Sequence, residues 1–380
     1  MQPDLQLLDL VNSTFRPHAA IEDPAAFKGR MKEQREIHEA LNSPGLHVAI
    51  VGERGAGKTS LANIATYNRK TIKAFCKKSY TFADVCRIIM LGFGEQFPEQ
   101  FEFNAENNTI RRQGLSFRAD RIGSAELLRF LPSDPHLCII VDEVDSLGRG
   151  EPTLMLGELC KEISTHRPNI TLILVGIAET AAELLAGHIS NVRNLQQIQL
   201  DRMSDEELRS IIHHGEGRLN IRFGPEVISQ LVMISDRTPF FVHIIATRTA
   251  RAAIERCSDI VTLDDLNKGI SGAAESCRVE LGGHYDRALA SDTLDTVHQE
   301  ILEALAQMEA RSVPKQRLCS QVNLTAREAN KPERTPQQIG RILKRLTSPV
   351  CGQILTQDTS NLIRFTAPLM RGYVKLRVGR

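Results

Sequence analysis

The chain has 380 residues, 42% of them hydrophobic, which is enough to bury a core in two or three domains and excludes wholesale disorder. Its net charge is +1, and its eight cysteines include no closely spaced pair, so we expect no structural zinc site, no disulfide framework and a reducing, cytoplasmic location. No apolar run approaches the ~18 residues of a membrane helix and the N-terminus lacks the basic start of a signal peptide, so we expect no membrane partner.

After a proline-containing N-terminal arm, residues 1–26, helices and strands are predicted to alternate as far as residue 203. Helices are predicted at 31–41, 59–67, 82–93, 125–130 and 154–164, and strands at 47–51, 71–76, 137–141, 170–175 and 196–200. Residues 97–122 interrupt this order with a polar segment that we interpret as an inserted loop or hairpin. The alternation predicts an α/β core, residues 27–203, with a parallel sheet and helices on both of its faces.

The pattern changes after residue 203. Residues 204–289 are predicted to be helical throughout, starting at a capping sequence that begins with Ser204, and we interpret them as a helical lid and linker. Residues 290–380 are predicted to form short helices followed by a β-hairpin, which is the pattern of a winged helix.

The most specific motif lies between the first predicted strand and the helix after it. It reads Gly52-Glu53-Arg54-Gly55-Ala56-Gly57-Lys58-Thr59, followed by Ser60. This is a P-loop: its glycines let backbone N–H groups turn toward phosphates, and the N-terminus of the next helix favours negative charge. Lys58 is predicted to reach the β- and γ-phosphates of ATP, and Thr59 to bind Mg²⁺.

A second half of the same site follows about one strand–helix unit later. The apolar strand at 137–141 ends in Asp142 and Glu143. We expect Asp142 to hold Mg²⁺ and Glu143 to orient or activate the attacking water. Asp145 is close in sequence and is interpreted as a helix cap or a surface carboxylate. An acidic strand end alone is common; the P-loop upstream makes ATP hydrolysis the favoured interpretation.

With these two motifs the chain resembles the AAA+ and STAND branch of P-loop ATPases. The segment Phe27-Lys28-Gly29-Arg30 resembles the element that precedes the P-loop in origin-recognition-type members, which implies that Gly29 and Arg30 lie near the adenine. The strand at 170–175, where the family has its sensor, ends in Gly176-Ile177-Ala178 with no polar residue at the usual position. This puts γ-phosphate sensing there in doubt.

The resemblance also implies functional residues outside the two motifs. Arg193 resembles the arginine finger that a neighbouring subunit's phosphate would contact, which implies a homo-oligomer; an ordinary surface arginine is the alternative. Arg237 and Pro239 lie in a segment similar to the Gly-x-Pro element of STAND ATPases, with Arg237 in place of the glycine. Arg237 is either a nucleotide sensor or a helix cap.

The C-terminal segment is strongly basic. Residues 311–380 contain 14 Lys or Arg and three acidic residues, a net charge of +11, which leaves −10 for residues 1–310. In the helix predicted from Thr335, the side chains of Arg341, Lys344 and Arg345 share one face and apolar side chains another, and Arg364 lies on the predicted hairpin. This separation predicts a duplex DNA contact; the alternative is a basic winged helix used for protein contacts.

Three functional hypotheses follow, of which the least specific is a plain ATP-binding assembly partner of an effector encoded elsewhere; the other two are as follows. The first is an ATP-hydrolysing switch that binds DNA, as an initiator, a loader or a transposition regulator, with a transposase or replication protein as a further partner. The order of core, lid and winged helix is that of origin-recognition initiators. The second is a STAND-type signalling or antiviral-defence ATPase that oligomerises and controls a partner effector, favoured by the Thr238-Pro239 element and the missing polar sensor.

Overall fold

A computed structural model describes residues 5–132, 136–148, 150–185, 194–290, 297–308, 310–358, 360–367 and 369–378. The chain divides into two compact units. One consists of Ala19–Arg202, and the other combines Met1–His18 with Met203–Arg380. They are called here the sheet unit and the helical unit.

The first helix, α1 (Leu5–Thr14), belongs to the helical unit, so the predicted arm 1–26 is divided between the two units. Val11 and Phe15 are buried in that unit's core. A Cβ atom added to Gly215 would lie 2.1 Å from the Phe15 ring, so the small residue at 215 makes room for this aromatic side chain. Such a long-range contact leaves no local signal in the sequence.

The sheet unit contains the alternating elements that were predicted. In chain order they are α2 (Met31–Leu41), β1 (His47–Gly52), α3 (Lys58–Ala65), β2 (Thr71–Phe75), α4 (Phe82–Gln96), β3 (Glu102–Asn104), β4 (Thr109–Arg112), β5 (Leu115–Arg118), α5 (Ser124–Phe130), β6 (Leu137–Asp142), α6 (Glu151–His166), β7 (Ile170–Gly176), α7 (Ala181–Leu184) and β8 (Leu195–Leu200).

Five of these strands form one parallel sheet in the order β2-β6-β7-β1-β8. Alternate residues of β1 enter two different cores: Ala49 and Val51 pack on one side, and Val48 and Ile50 on the other. Because side chains alternate along a strand, a strand buried in this way has helices over both faces of its sheet. The predicted α/β class with a parallel sheet is confirmed.

The segment predicted as an inserted loop or hairpin forms three strands. β3, β4 and β5 make an antiparallel sheet of their own. The turn between β4 and β5 is Gln113-Gly114, both with positive φ, which is the geometry of a tight hairpin turn. Arg112 of β4 is buried, with its guanidinium 5.0 Å from the Phe93 ring. The insertion is thereby anchored to α4, a contact that the polar composition of the segment did not indicate.

The helical unit continues with α8 (Asp205–Leu219), β9 (Arg222–Phe223), α9 (Pro225–Ile234), α10 (Pro239–Glu255), β10 (Ile260–Val261), α11 (Leu263–Cys277), α12 (Gly283–Ala290), α13 (Val297–Gln307), β11 (Val313–Pro314), α14 (Lys315–Glu328), α15 (Pro336–Leu346), β12 (Leu355–Gln357), β13 (Leu362–Phe365) and α16 (Met370–Val378). None of the helices in the described part of the chain is both long enough and apolar enough to cross a membrane.

The last elements of this unit surround a small antiparallel sheet of order β11-β13-β12. One hydrophobic core runs through α8–α12 and on through α13–α16, across the predicted boundary at residue 290. α16 closes against the start of α10: a Cβ atom added to Gly372 would lie 2.2 Å from the Phe241 ring. The predicted domain limits stay a prediction.

Candidate nucleotide-binding site

The loop between β1 and α3 is shaped by three glycines. Gly52, Gly55 and Gly57 have φ of 153°, 80° and 91°, which side chains other than hydrogen disfavour. A Cβ atom at Gly52 would also lie 2.8 Å from the carbonyl oxygen of Leu200. β1 is buried along its whole length, so it anchors the loop at the carboxyl end of the sheet. The local sequence therefore dictates both the conformation and the position of the loop.

Lys58 starts α3 and points back into the loop. Its Nζ donates hydrogen bonds to the carbonyl oxygens of Gly52, at 3.1 Å, and Glu53, at 2.8 Å. Burial lowers the pKa of Lys58, and the nearby carboxylates of Asp145 and Asp142 act in the opposite direction. The cap of α3 is Gly57, which has no side chain to satisfy the first N–H groups of the helix. A lysine and a helix N-terminus at one loop make a site for phosphate.

Thr59 and Asp142 are joined directly. The Thr59 hydroxyl donates a hydrogen bond of 2.7 Å to Asp142 Oδ2. β1 and β6 are not neighbours in the sheet, because β7 lies between them. The contact therefore reaches across the end of β7 and depends on the strand order. Burial raises the pKa of Asp142, while the hydrogen bonds from Thr59 and from the Glu143 N–H act to lower it.

These two oxygens suit a hard cation. Mg²⁺ in nucleotide sites prefers hydroxyl, carboxylate and phosphate oxygens, and it usually takes only one or two groups from the protein. The Thr59 hydroxyl and the Asp142 carboxylate supply such a pair next to the phosphate loop. The donor set thus fits the predicted metal.

Glu143 follows Asp142 in a strained backbone conformation. Its φ is 56°, in the left-handed region that residues other than glycine seldom adopt, and its N–H donates to Asp142 Oδ1 at 2.7 Å. The turn ends β6 and leaves the Glu143 side chain exposed, beside the buried Asp142. The two adjacent carboxylates thus have different surroundings, one buried and one exposed.

Asp145 has a role that the sequence did not indicate. The N–H of Ile177 donates a hydrogen bond of 2.7 Å to Asp145 Oδ1, directly after β7. A Cβ atom at Gly176 would lie 2.4 Å from Leu184 Cδ1 and 3.0 Å from the same Asp145 oxygen. Because residue 176 is a glycine, the Asp145 carboxylate fits against the end of β7, where the sequence has no polar sensor residue. The signal available in the sequence was the Gly176 position itself.

Gly29, Arg30 and Ser60 lie in the sheet unit with the P-loop. Gly29 and Arg30 have φ of 78° and 59°, and the buried Arg30 guanidinium donates to Glu33 Oε1 at 3.0 Å and to the Asp201 carbonyl. These bonds tie the segment before α2 to the end of β8. The Ser60 hydroxyl accepts the N–H of Ile21 at 3.0 Å.

The other predicted nucleotide contacts belong to the helical unit or lie outside the described residues. Pro239 is the first residue of α10, and Arg237, with φ 56°, directs its Nε to Asp205 Oδ1 at 3.2 Å. The preceding Asp236 also has a positive φ, 53°, and pairs with Lys375 Nζ at 2.7 Å. Arg193 falls in the segment 186–193, outside the described residues.

The predicted DNA-contact residues lie on exposed surfaces of the helical unit. The Thr335 side chain and Gln338 form a reciprocal cap at the start of α15. The apolar stripe of α15 is packed inward, with Ile339, Leu343 and Leu346 buried. The basic residues predicted to contact DNA are exposed: Arg341, Lys344 and Arg345 on α15, and Arg364 on β13.

A parallel sheet of this order with a P-loop at the end of β1 and an acidic pair at the end of β6 defines a P-loop nucleotide-binding protein. Residues 41–185 match the AAA domain family, and this segment contains both predicted motifs. Over 96% of this chain and 99% of the other, the structure is similar to the Walker-type ATPase of Pyrococcus abyssi, at 16% identity and a TM-score of 0.61.

Two further similarities are weaker. The RuvB Holliday junction branch migration motor of Thermotoga maritima matches at 14% identity and a TM-score of 0.49, over 91% of this chain and 95% of the other. Cdc6p of Pyrobaculum aerophilum matches at 15% identity and a TM-score of 0.46, over 96% and 97%. TM-scores below 0.5 do not establish a shared fold. A comparison with curated proteins found no match.

Proposed function

We propose that the protein is an ATP-hydrolysing switch that binds duplex DNA through a C-terminal winged helix. The observation that carries the ATP half is the hydrogen bond from Thr59 to Asp142, which unites the two sequence motifs in one site. If the glycine-rich turn matched the P-loop motif by chance, the buried Asp142 carboxylate of β6 would not be expected to contact Thr59, since β6 and β1 are not neighbours in the sheet.

Each residue of the site then has a defined part. Lys58 binds the β- and γ-phosphates in place of the loop carbonyls that it now contacts. Bound Mg²⁺ would neutralise charge on these phosphates, held by Thr59 and Asp142. Glu143 orients the attacking water, and its exposed position leaves it free to do so. The family resemblance further implies nucleotide-binding roles for Gly29, Arg30, Arg237 and Pro239, and an arginine-finger role for Arg193 from a neighbouring subunit.

The DNA half rests on the elements after residue 297. Their order is α13, β11, α14, α15, β12 and β13, with β13 between the other two strands, which is the order typical of a winged helix. α15 buries its apolar stripe and exposes its basic residues. Lys and Arg side chains held on one exposed helix face suit the phosphates of a duplex groove. The eight free thiols fit the proposed cytoplasmic location.

The direct test is a salt titration of duplex DNA binding, followed by fluorescence anisotropy, with no nucleotide, with ADP and with a non-hydrolysable ATP analogue. We expect the logarithm of the binding constant to fall linearly with the logarithm of salt concentration, since counterions are released from the phosphates. We also expect the affinity to differ between ADP and the ATP analogue. Absence of DNA binding at low salt in every nucleotide state overturns the DNA half.

A STAND-type signalling ATPase is the second candidate. The observation that favours it is the end of β7, where Gly176 and the exposed Ile177 offer no polar side chain of their own. In that case the C-terminal elements make protein contacts, and the output is assembly with an effector. Light scattering with ATP and without DNA separates the two: nucleotide-driven oligomers that bind no DNA support this second function.

A further inference from the structure

A second basic site lies in the sheet unit, away from the P-loop. An open cleft of about 830 Å³ is lined by α2, by the C-terminal end of α3 and by residues that precede β2 and β6. Its basic lining residues are Arg35, His38, Arg69, Lys70 and His136. Among the residues that the structure describes, none that lines the cleft is a carboxylate.

Two basic residues of the cleft, Lys70 and His136, lie at the edge of the sheet opposite the P-loop. Lys70 immediately precedes β2, and His136 immediately precedes β6. The P-loop, in contrast, follows the carboxyl end of β1 at Gly52. Since the strands are parallel, their amino and carboxyl ends are on different edges, so Lys70 and His136 lie at the end of the strands remote from the P-loop.

The positive side-chain charge of the cleft exceeds the negative charge at the C-termini of the two neighbouring helices. The C-termini of α2 and α3 are here, and each carries about half of a negative elementary charge. Together they offset about one of the three permanent positive charges of Arg35, Arg69 and Lys70. In the described part of the chain none of these three forms an ion pair with a carboxylate. The described lining of the cleft therefore keeps a net positive charge.

Part of this charge is held in place. Arg69 donates from one guanidinium nitrogen to the Leu41 carbonyl at 3.3 Å and from the other to Asn42 Oδ1 at 2.7 Å. The ammonium group of Lys70 lies 4.6 Å from the centre of the Phe97 ring. Fixed cations lose less side-chain freedom on binding an anion than mobile ones do.

The lining narrows the choice of anion. The amide side chains of Gln34, Asn42 and Asn68 also line the cleft. In protein–DNA complexes Asn and Gln, like Lys and Arg, donate hydrogen bonds to phosphate and sugar oxygens. The described lining contains no Phe, Tyr or Trp on which an unpaired base would stack, which disfavours single strands. We propose that this cleft binds the phosphate backbone of duplex DNA as a contact additional to α15; this rests on the proposed DNA-binding function.

The test compares salt titrations of duplex binding by the full chain and by a triple variant, Arg35→Gln, Arg69→Gln and Lys70→Gln. Each lost phosphate contact removes about 0.9 from the slope of log affinity against log salt, so we expect a decrease of about 3 and at least tenfold weaker binding near 0.15 M salt. The control, Lys78→Gln, Arg121→Gln and Arg129→Gln, removes the same charge from exposed residues of the same unit outside the cleft.

Arg69 also supports the end of α2, so its loss can impair folding. The double variant Arg35→Gln and Lys70→Gln leaves it intact and should still lower the slope by about 2. An unchanged salt slope in the folded double variant overturns DNA binding by the cleft. If the Arg341/Lys344/Arg345 variant loses affinity in the same assay, the proposed function still stands. A wild-type protein that binds no duplex overturns both. Equal competition by polyglutamate and duplex DNA, at equal charge, overturns DNA as the occupant.

Discussion

The P-loop site and the basic face of α15 use charge in opposite ways. At the P-loop the groups are buried or fixed: Asp142 is 4% exposed, and Lys58 is bonded to two carbonyl oxygens of its own loop. On α15 the side chains of Arg341, Lys344 and Arg345 are exposed. Buried charges act strongly and at one geometry, whereas exposed ones are screened by salt and adapt to their partner. Substitutions should therefore act sharply at the first site and gradually at the second.

The largest effect is expected at Glu143. Replacing Glu143 with Gln keeps the size of the side chain but removes the carboxylate that orients water, so turnover should fall by roughly 10²–10⁴. ATP binding, measured by calorimetry, should persist. Phosphate release gives the turnover, and Glu151→Gln, at the exposed start of α6, is the control. ATP hydrolysis by Glu143→Gln at the wild-type rate would show that the assigned role is wrong.

The next effect tests ATP binding itself. Lys58→Ala removes the ammonium group that is bonded to the loop carbonyls and should weaken ATP binding by roughly a hundredfold or more, since charge-assisted hydrogen bonds to phosphate are lost. Calorimetric titration with ATP and Mg²⁺ measures it. Lys78→Ala, which changes an exposed lysine of the same unit, should bind normally. Equal ATP affinities of the two variants would show that Lys58 does not contribute to ATP binding.

A pH titration compares the two units through one buried histidine each. Burial lowers the pKa of His47, in the sheet unit, and of His243, in the helical unit, from 6.5 to about 4. In the folded chain His47 uses both ring nitrogens while neutral, donating to the Cys160 carbonyl and accepting the Leu172 N–H. In the unfolded chain the histidines take up protons near pH 6.5. Their contribution to the free energy of unfolding is therefore fully present above that pH and declines as the pH falls toward 4.

At pH 5 each histidine should cost roughly 2 kcal/mol of unfolding free energy relative to pH 7. Urea unfolding between pH 7 and pH 5 measures this, in a range where most carboxylates stay ionised. His47→Gln should flatten the dependence for the sheet unit alone, and His243→Phe for the helical unit alone. If both variants keep the wild-type slope, the titrating groups are others.

The smallest effect is expected on α15. Arg341→Ala, Lys344→Ala and Arg345→Ala together should reduce DNA affinity by tens of fold near 0.15 M salt and lower the salt slope by about 3, while leaving ATP turnover in the absence of DNA unchanged. Thermal unfolding should hardly change, because the inward face with Ile339, Leu343 and Leu346 is untouched. Loss of turnover in the absence of DNA would show that these α15 residues contribute to ATP hydrolysis as well as to DNA binding.

Much of the nucleotide site was predictable because its information is local. The glycines at 52, 55 and 57 need particular φ values, and Lys58 starts the helix that follows them, so one short segment specifies the loop. The apolar strand before Asp142 is equally local. The two faces of α15 followed from helical periodicity alone.

Contacts between distant segments were not predictable in the same way. The Asp145 carboxylate against the Ile177 N–H, the third strand of the insertion and the packing of α1 through Val11 all depend on which elements become neighbours. A short run of mixed residues fits a loop, a strand or a helix until a tertiary partner selects among them.

By itself, then, the sequence determined the P-loop, the acidic pair after β6, the alternation of strands and helices, and the segregation of charge on α15. The tertiary structure decided that β7 lies between β1 and β6, which brings Thr59 to 2.7 Å from Asp142, and that a basic cleft lies open at α2 and the C-terminal end of α3. The reason is physical. Backbone preference and periodicity act over a few residues, whereas strand order and the space between helices are set by packing of the whole unit.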